Sequence, residues 1–199
     1  TRRQIVIGAA VGGGLVLGYQ LRPRNYPLPL AAGRGEVAFD AWIKLGKDGV
    51  VTVAVPQLEM GQGITTLIPQ IVAVELGADW RQIAVEPAPV SAHYANLPLA
   101  ARWSQLWMPV FPVLGSTANG PVTGRWARDN RFMATADGMS LAAYEGPARI
   151  AAASVRSLLA MAAAKRWGGD WQSFKVSNGF VDSGGKRLSF GELAEEAAA

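Results

Sequence analysis

Cysteine is absent from this 199-residue chain, and histidine occurs once, as His93. Without cysteine the chain has no disulfide, no thiolate metal site and no iron–sulfur ligands of its own. A lone histidine has no second histidine with which to complete a metal site, and it is more often a hydrogen-bonded structural residue. These absences exclude classes of site, but they do not fix the cellular compartment.

Acidic residues are missing from the first 35 positions, although the formal net charge of the whole chain is only +4. Every basic residue in that segment is an arginine: Arg2, Arg3, Arg22, Arg24 and Arg34. The rest of the chain has 14 basic and 15 acidic residues, so the basic isoelectric point belongs to the N-terminal segment. The nearly neutral body therefore carries no electrostatic footprint of nucleic-acid binding.

A long hydrophobic run is also missing from the N-terminal segment. Arg2 and Arg3 precede an apolar, glycine-rich stretch over 5–19, which is shorter than the roughly 20 residues that span a bilayer. This pattern is typical of a twin-arginine export signal; an uncleaved anchor or a buried helix is the alternative. We predict a signal or anchor and a proline-rich linker over 1–36. The predicted location is the periplasm or the periplasmic face of the inner membrane.

The body reads as a mixed fold of strands and helices. Alternating and β-branched runs predict strands over 39–45, 50–55 and 83–87, and helical patterns are found over 65–76, 150–167 and 193–199. Asp48-Gly49 and Asn178-Gly179 predict hairpin turns, and Ser189 with Glu192 predicts a capping box. The order strand–strand–helix–strand indicates an α+β fold, with strand hairpins and packed helices.

Residues 92–134 interrupt this pattern with scattered aromatic residues and prolines. We predict that this aromatic insert is a long, partly ordered loop whose aromatic side chains pack on the main body. The alternative is a functional surface, either a wall of a substrate funnel or a contact with a partner subunit. A stretch this long and apolar is not expected to be exposed to solvent throughout.

The most informative stretch is 57–66, which lies between a predicted strand and a predicted helix. Gly61 and Gly63 flank Gln62, and a residue without Cβ lets the backbone approach a ligand closely. The Gln62 amide both donates and accepts hydrogen bonds without adding charge. Helix-start N–H groups favour an oxyanion nearby. Taken alone, however, the stretch is also explained as a turn whose glycines only satisfy the backbone.

The run Glu59-Met60-Gly61-Gln62-Gly63, with Thr65 after it and a valine-rich strand before it, resembles a known motif. It is similar to the molybdenum-binding subunit of the xanthine dehydrogenase and aldehyde oxidase family. The closer resemblance is to the isoquinoline 1-oxidoreductase β-subunit type, and it runs from about 39 to 199. It implies that 37–199 is the N-terminal portion of a molybdopterin-binding domain, with the insert at about 92–134.

The resemblance implies hydroxylation of an aldehyde or an N-heteroaromatic carbon with oxygen from water. The implied cofactor is molybdopterin, as the cytosine dinucleotide, with molybdenum; [2Fe-2S] clusters would lie only on a partner subunit, and a cytochrome c is a further implied acceptor. Gln62 is the implied catalytic residue, hydrogen-bonding an oxo ligand. The implied cofactor-binding residues are Met60, Gly61, Gln62, Gly63 and Ser140, and no residue of this chain is implied as a metal ligand.

A second segment, 135–149, is similar to the family's turn near the pterin, but it has Ala136-Asp137-Gly138 where the family usually has Gly-Gly-Ser. The negative charge of Asp137 is expected to repel a pyrophosphate. The family's general base is a glutamate in a Gly-x-Gly-Glu motif, which we expect to be missing from this chain, and Glu59, the carboxylate nearest to the glycines, is interpreted as structural. The chain is then a fragment or a split subunit. The alternative function is a non-catalytic, membrane-tethered structural or assembly module of the same ancestry.

Overall fold

The computed structural model describes residues 18, 19, 22 and 24–199. The predicted export signal, with Arg2 and Arg3, lies outside the described residues, so the signal stays a prediction. Among the residues that are described, no helix is both long enough and apolar enough to cross a membrane. The body mixes strands and packed helices, as predicted, and this mixture is compatible with the α+β class.

The first sheet carries the glycine-containing motif. Its strands are β1 (Glu36–Ala38), β2 (Ile43–Gly46), β3 (Val51–Val55) and β4 (Ile83–Pro87), in that spatial order. The first three strands are antiparallel neighbours, and β4 lies parallel to β3. Helix α1 (Ile64–Leu76) makes the crossover from β3 to β4. The predicted hairpin, helix and third strand are therefore confirmed, and the motif lies where the crossover begins.

The strand predicted over 39–45 begins only at Ile43, because Asp40 turns the chain before it. The Asp40 carboxylate accepts hydrogen bonds from the backbone N–H groups of Trp42 at 2.6 Å and Ile43 at 3.0 Å. Trp42 is buried and packs edge-on against Tyr94, with ring centroids 5.3 Å apart. The prediction of a half-buried strand was wrong, since β2 is buried on both faces.

The aromatic insert is helical rather than a loop. It contains α2 (Leu97–Arg102), α3 (Ser104–Trp107) and α4 (Pro121–Asp129). The rings of Trp107 and Trp126 stack with centroids 4.4 Å apart and nearly parallel planes, which joins α3 to α4. Helices this short show too few turns for a hydrophobic period to be recognised, which explains why the sequence suggested a loop.

Helix α5 (Ser140–Trp167) begins ten residues before the predicted start at 150. The helix runs through Pro147, although proline disfavours the helical conformation of the residue before it. Packing of α5 along α1 compensates, since tertiary contacts commonly outweigh local propensity. The helix ends at Gly168, as predicted.

The last part of the chain forms a second sheet and a helix. Its elements are β5 (Lys175–Ser177), β6 (Phe180–Ser183), β7 (Lys186–Ser189) and α6 (Phe190–Ala198). The Asn-Gly turn between β5 and β6 and the Ser189–Glu192 capping box are both confirmed. Helix α6 packs against α5 and the first two strands, which joins this end of the chain to the main core.

Candidate cofactor site at the glycine loop

The segment 57–63, which we call the glycine loop, projects from the end of β3. Leu58 and Met60 are 78% and 73% exposed, although both are large apolar residues. Gly61 and Gly63 have φ angles of +97° and +73°, in a region that costs L-residues with side chains free energy. The two glycines are therefore required by the backbone itself, as well as being available for a close approach to a ligand.

Glu59 fixes the glycine loop to the start of α1. Its carboxylate accepts hydrogen bonds from the N–H groups of Gly61 and Gly63, both at 2.8 Å, and of Thr65 at 3.2 Å, and from the Thr65 hydroxyl at 3.0 Å. The hydrogen bond from Gly63 is the largest of the effects that lower the pKa of Glu59 from 4.5 to about 2. Glu59 is thus a helix cap, in agreement with its structural interpretation from the sequence.

This cap also changes one expectation about α1. The free N–H groups at the helix start were expected to face an oxyanion of a ligand. Two of them, those of Gly63 and Thr65, are already bound to Glu59. A carboxylate in that position repels a second anion, so the α1 terminus is not the phosphate-binding part of this loop.

Gln62 closes the glycine loop on itself. Its Oε1 accepts from the backbone N–H of Met60 at 2.6 Å, and its Nε2 donates to the carbonyl of Leu58 at 2.8 Å. Gln62 therefore has a structural role in the loop, besides the catalytic role that the resemblance implies. An amide nitrogen carries two hydrogens, so one of them remains to be donated to a ligand.

Space above the loop is open on the side of its glycines. A Cβ built on Gly61 meets no other described atom within 4 Å, and one built on Gly63 meets only the side chain of Leu67, at 3.7 Å. The chain itself therefore leaves room for a bound group against this backbone. Met60 directly precedes Gly61 in the chain, and its side chain is exposed.

Ser140, the remaining predicted cofactor-binding residue, lies at the first position of α5 and is buried. Its hydroxyl donates to Oε1 of Gln57. Gln57 Nε2 in turn donates to the carbonyl of Ala134 at 2.9 Å and to the hydroxyl of Tyr144 at 3.3 Å. The structure thus brings Ser140 to the base of the glycine loop, through Gln57, which sequence reasoning missed.

Asp137 does not stand as an unpaired charge in the turn before α5. Its Oδ2 lies 3.0 Å from Nε of Arg102 and accepts a hydrogen bond from the indole N–H of Trp103 at 2.9 Å. Both partners belong to the aromatic insert. Because a cation already faces this carboxylate, the expected repulsion of a pyrophosphate is weakened.

A match to the general-base motif was also missed, since Gly33-Arg34-Gly35-Glu36 has the letters Gly-x-Gly-Glu. Glu36 pairs with Gly46 at the hairpin end of β2, whereas the glycine loop leaves the opposite end of β3. Its carboxylate accepts from the N–H of Gly33 at 2.9 Å and lies 3.5 Å from the ammonium of Lys44. Strands rise about 3.3 Å per residue, so Glu36 lies far from Gln62 and is not its base.

Other metal-binding chemistry is not found in the described part of the chain, where no three residues of the histidine, cysteine, aspartate or glutamate types are grouped around a common point. A ring nitrogen of His93 lies 3.1 Å from the carbonyl of Tyr26. The lone histidine thus has the structural contact that was expected of it.

The sequence was compared with families and with curated proteins. Residues 9–101 match the family model of the molybdopterin cofactor-binding domain, a range that includes the glycine loop but not Ser140. The chain is 29% identical over 159 residues to isoquinoline 1-oxidoreductase subunit beta of Brevundimonas diminuta, which covers 79% of this chain and 17% of that protein.

A second relative is the membrane-bound aldehyde dehydrogenase (pyrroloquinoline-quinone) of Gluconacetobacter polyoxogenes, which is 31% identical over 94 residues. That match covers 43% of this chain and 11% of the relative. The chain thus spans less than a fifth of the length of either relative. The domain match and the first relative agree with the resemblance carried by the glycine loop: this chain is similar to a molybdopterin cofactor-binding domain and to isoquinoline 1-oxidoreductase subunit beta.

Proposed function

We propose that this chain supplies one wall of the active site of a molybdenum hydroxylase that oxidises an aldehyde or an N-heteroaromatic carbon with oxygen from water. Two electrons pass to a separate iron–sulfur subunit with [2Fe-2S] clusters, and a cytochrome c is the proposed later acceptor. The observation that carries the proposal is the glycine loop, which is exposed but held by six hydrogen bonds of Glu59 and Gln62, within the region of the domain match.

The glycine loop fits a large cofactor in two respects. The space over Gly61 is free of other described atoms, and Gln62 keeps one amide hydrogen after closing the loop. Met60 and Gly63 flank that position. We propose that these residues hold molybdopterin, as the cytosine dinucleotide, at the glycine side of the loop, away from the carboxylate of Glu59.

When bound, the molybdenum cofactor supplies the two-electron redox chemistry. Gln62 would hold the group by donating its free amide hydrogen to one of the cofactor's oxygen atoms. Glu59 does not take the substrate's proton, because its pKa of about 2 and its four donors keep it ionised and occupied at neutral pH. General base catalysis needs a group whose pKa lies nearer the working pH. We propose that this group belongs to the rest of the subunit.

The second candidate is a non-catalytic, membrane-tethered module of the same ancestry. Two features of the sequence favour it, Asp137 and the aromatic insert, and the ion pair of Asp137 with Arg102 weakens the part that rests on Asp137. The name of the second relative also includes a different cofactor, pyrroloquinoline quinone. The decisive experiment therefore measures both cofactors in the native complex.

The experiment purifies the native complex and measures its molybdenum, its extractable molybdopterin and its extractable quinone. We expect molybdenum in stoichiometric amount and no quinone. Turnover of an aldehyde or an N-heterocycle in ¹⁸O-labelled water should then place the label in the product. A complex that contains the chain but no molybdenum would contradict the proposed hydroxylase function and favour the non-catalytic module.

A further inference from the structure

The side chain of Gln57 is buried, with 8% of its surface exposed, at the root of the glycine loop. Both ends of its amide are engaged: Oε1 accepts from the Ser140 hydroxyl, and Nε2 donates to the Ala134 carbonyl at 2.9 Å and to the Tyr144 hydroxyl at 3.3 Å. These three partners lie 77 to 87 residues further along the chain. One side chain therefore joins two distant segments.

The side chains within the loop have different partners. Glu59 binds the loop to the start of α1, and Gln62 binds it to itself. Gln57 instead contacts the first residue of α5 and the segment that precedes it. Among these three side chains, Gln57 is the one that hydrogen-bonds to residues of α5.

Tyr144 and Tyr94 extend the connection into the core. The hydroxyl of Tyr144 donates to the carbonyl of Tyr94 at 2.9 Å, and the hydroxyl of Tyr94 donates to the carbonyl of Ala41. Both tyrosines are almost fully buried. A satisfied buried network of this kind specifies one arrangement of the segments that it joins.

We propose that Gln57 is a positioning residue: its amide sets the glycine loop against the start of α5, and the Ser140 hydroxyl acts by holding that amide rather than by binding the cofactor. The inference rests on the proposed function, because it assigns the two segments to one cofactor site. Its physical content is preorganisation, since a displacement of about 1 Å at a reacting group can cost on the order of a hundredfold in rate.

The test uses the intact complex with its cofactor and compares Gln57→Leu, Ser140→Ala and wild type. Deuterium exchange measures the protection of the loop amides over 58–63, alongside molybdenum content, kcat, KM and the thermal midpoint. We expect Gln57→Leu to raise the deuterium exchange of the loop amides. It should lower kcat, expressed per molybdenum bound, by about tenfold and leave KM nearly unchanged. Ser140→Ala should act in the same direction with a smaller effect.

Thr123→Val is the matched control. Thr123 is fully buried in the aromatic insert, and its hydroxyl donates to the carbonyl of Gly115 at 2.8 Å. This variant also removes a buried hydrogen bond, so it should lower the thermal midpoint. It should leave the exchange of the loop amides and kcat at the wild-type values, because the Thr123–Gly115 hydrogen bond lies within the aromatic insert and involves no residue of the glycine loop.

Gln57→Glu adds a second measurement, the pH dependence of loop protection, which should not change if Gln57 is only a core residue. A protonated glutamate resembles the amide and donates one hydrogen bond to the Ala134 carbonyl, whereas its carboxylate repels that oxygen. Burial raises the pKa of such a carboxyl, and Tyr144 beside it stays protonated because burial also raises its pKa. Loop protection factors in Gln57→Glu should therefore rise as the pH falls, while those of wild type stay constant.

Two outcomes distinguish a failure of the role of Gln57 from a failure of the proposed function. Unchanged loop exchange and kcat in Gln57→Leu, with a lowered thermal midpoint, would show that Gln57 is only a core residue. A wild-type complex without molybdenum would overturn the proposed function, whereas the exchange measurements would still report whether Gln57 joins the loop to α5.

Discussion

Arg102 and Asp137 form an ion pair between the aromatic insert and the turn that precedes α5, with Nε and Oδ2 3.0 Å apart. The indole N–H of Trp103 donates to the same carboxylate oxygen at 2.9 Å. The residue that departs from the family pattern in the predicted pterin-binding turn is therefore the one that attaches the insert to that turn. Asp137, which was expected to hinder cofactor binding, therefore has a structural role in joining these two segments.

Asp137→Asn tests that conclusion. Asparagine tolerates the positive φ of 55° at this position and still accepts from Trp103, but it loses the ion pair with Arg102. We expect the free energy of unfolding to fall by about 0.5 kcal/mol, since the pair is partly exposed, and molybdenum content to stay at the wild-type level. A clear rise in molybdenum content would show that the carboxylate does repel the cofactor.

Glu59→Gln tests the cap on α1 through its pH dependence. The pKa of Glu59 is lowered from 4.5 to about 2 in the folded chain. A lowered carboxyl pKa stabilises the fold above the unfolded value, and the stabilisation is lost as the pH falls from about 4.5 towards 2. The thermal midpoint of wild type should therefore exceed that of Glu59→Gln at neutral pH, and the difference should shrink across that window.

Glu195→Gln is the control for this experiment, because Glu195 forms an exposed salt bridge with Lys47. Exposed pairs contribute little to stability, so this variant should follow wild type at every pH. A constant difference between wild type and Glu59→Gln down to pH 2 would contradict the role of the Glu59 carboxylate as a cap.

Gln62→Ala should lower the rate of hydroxylation in the intact complex. A lost hydrogen bond of about 1 to 1.5 kcal/mol corresponds to roughly a five- to tenfold loss in rate when the bond is made in the transition state. Gln62 also closes the loop, so the thermal midpoint should fall slightly. Rates are compared per molybdenum bound, and a full rate in Gln62→Ala would leave Gln62 as a turn residue only.

Gly61→Ala is the companion variant for that prediction. It strains a backbone with φ of +97° but meets no other described atom within 4 Å. If Gly61→Ala loses more molybdenum than its loss of stability explains, the excess loss would therefore come from a clash of the added Cβ with the bound group.

The purified 199-residue chain should have no hydroxylase activity. Glu59 is occupied as a cap, and Glu36, despite its Gly-x-Gly-Glu context, lies at the other end of the sheet from the glycine loop. The measurement supplies cofactor, an electron acceptor and a panel of aldehydes and N-heterocycles. Turnover above the rate of the protein-free mixture would show that this chain contains its own base.

We propose export by the twin-arginine route, and replacement of Arg2 and Arg3 by lysine tests it. A reporter fused to this N-terminal segment should accumulate in the periplasm or on the periplasmic face of the inner membrane. The double lysine variant should remain in the cytoplasm, because that route requires the arginine pair. Delivery of the variant at the wild-type level would remove the twin-arginine interpretation.

The sequence by itself determined features that depend on neighbouring residues. The Asp48-Gly49 and Asn178-Gly179 turns, the end of α1 at Gly77 and the Ser189–Glu192 box all follow from the backbone preferences of a few adjacent positions. The glycine-containing motif is local in the same sense. Its recognition needed only the order of residues between a strand and a helix.

The tertiary structure alone decided the contacts of Gln57, Glu36 and Asp137. Gln57 and Ser140 are 83 positions apart, and nothing in either local pattern specifies that they meet. Glu36 matches the residue pattern of a motif, but it lies at the hairpin end of the sheet, whereas Gln62 follows the opposite end of β3. The charge of Asp137 could be judged only with Arg102 beside it. Hydrogen bonds and ion pairs act over a few ångströms, so their partners are fixed by packing rather than by separation along the chain.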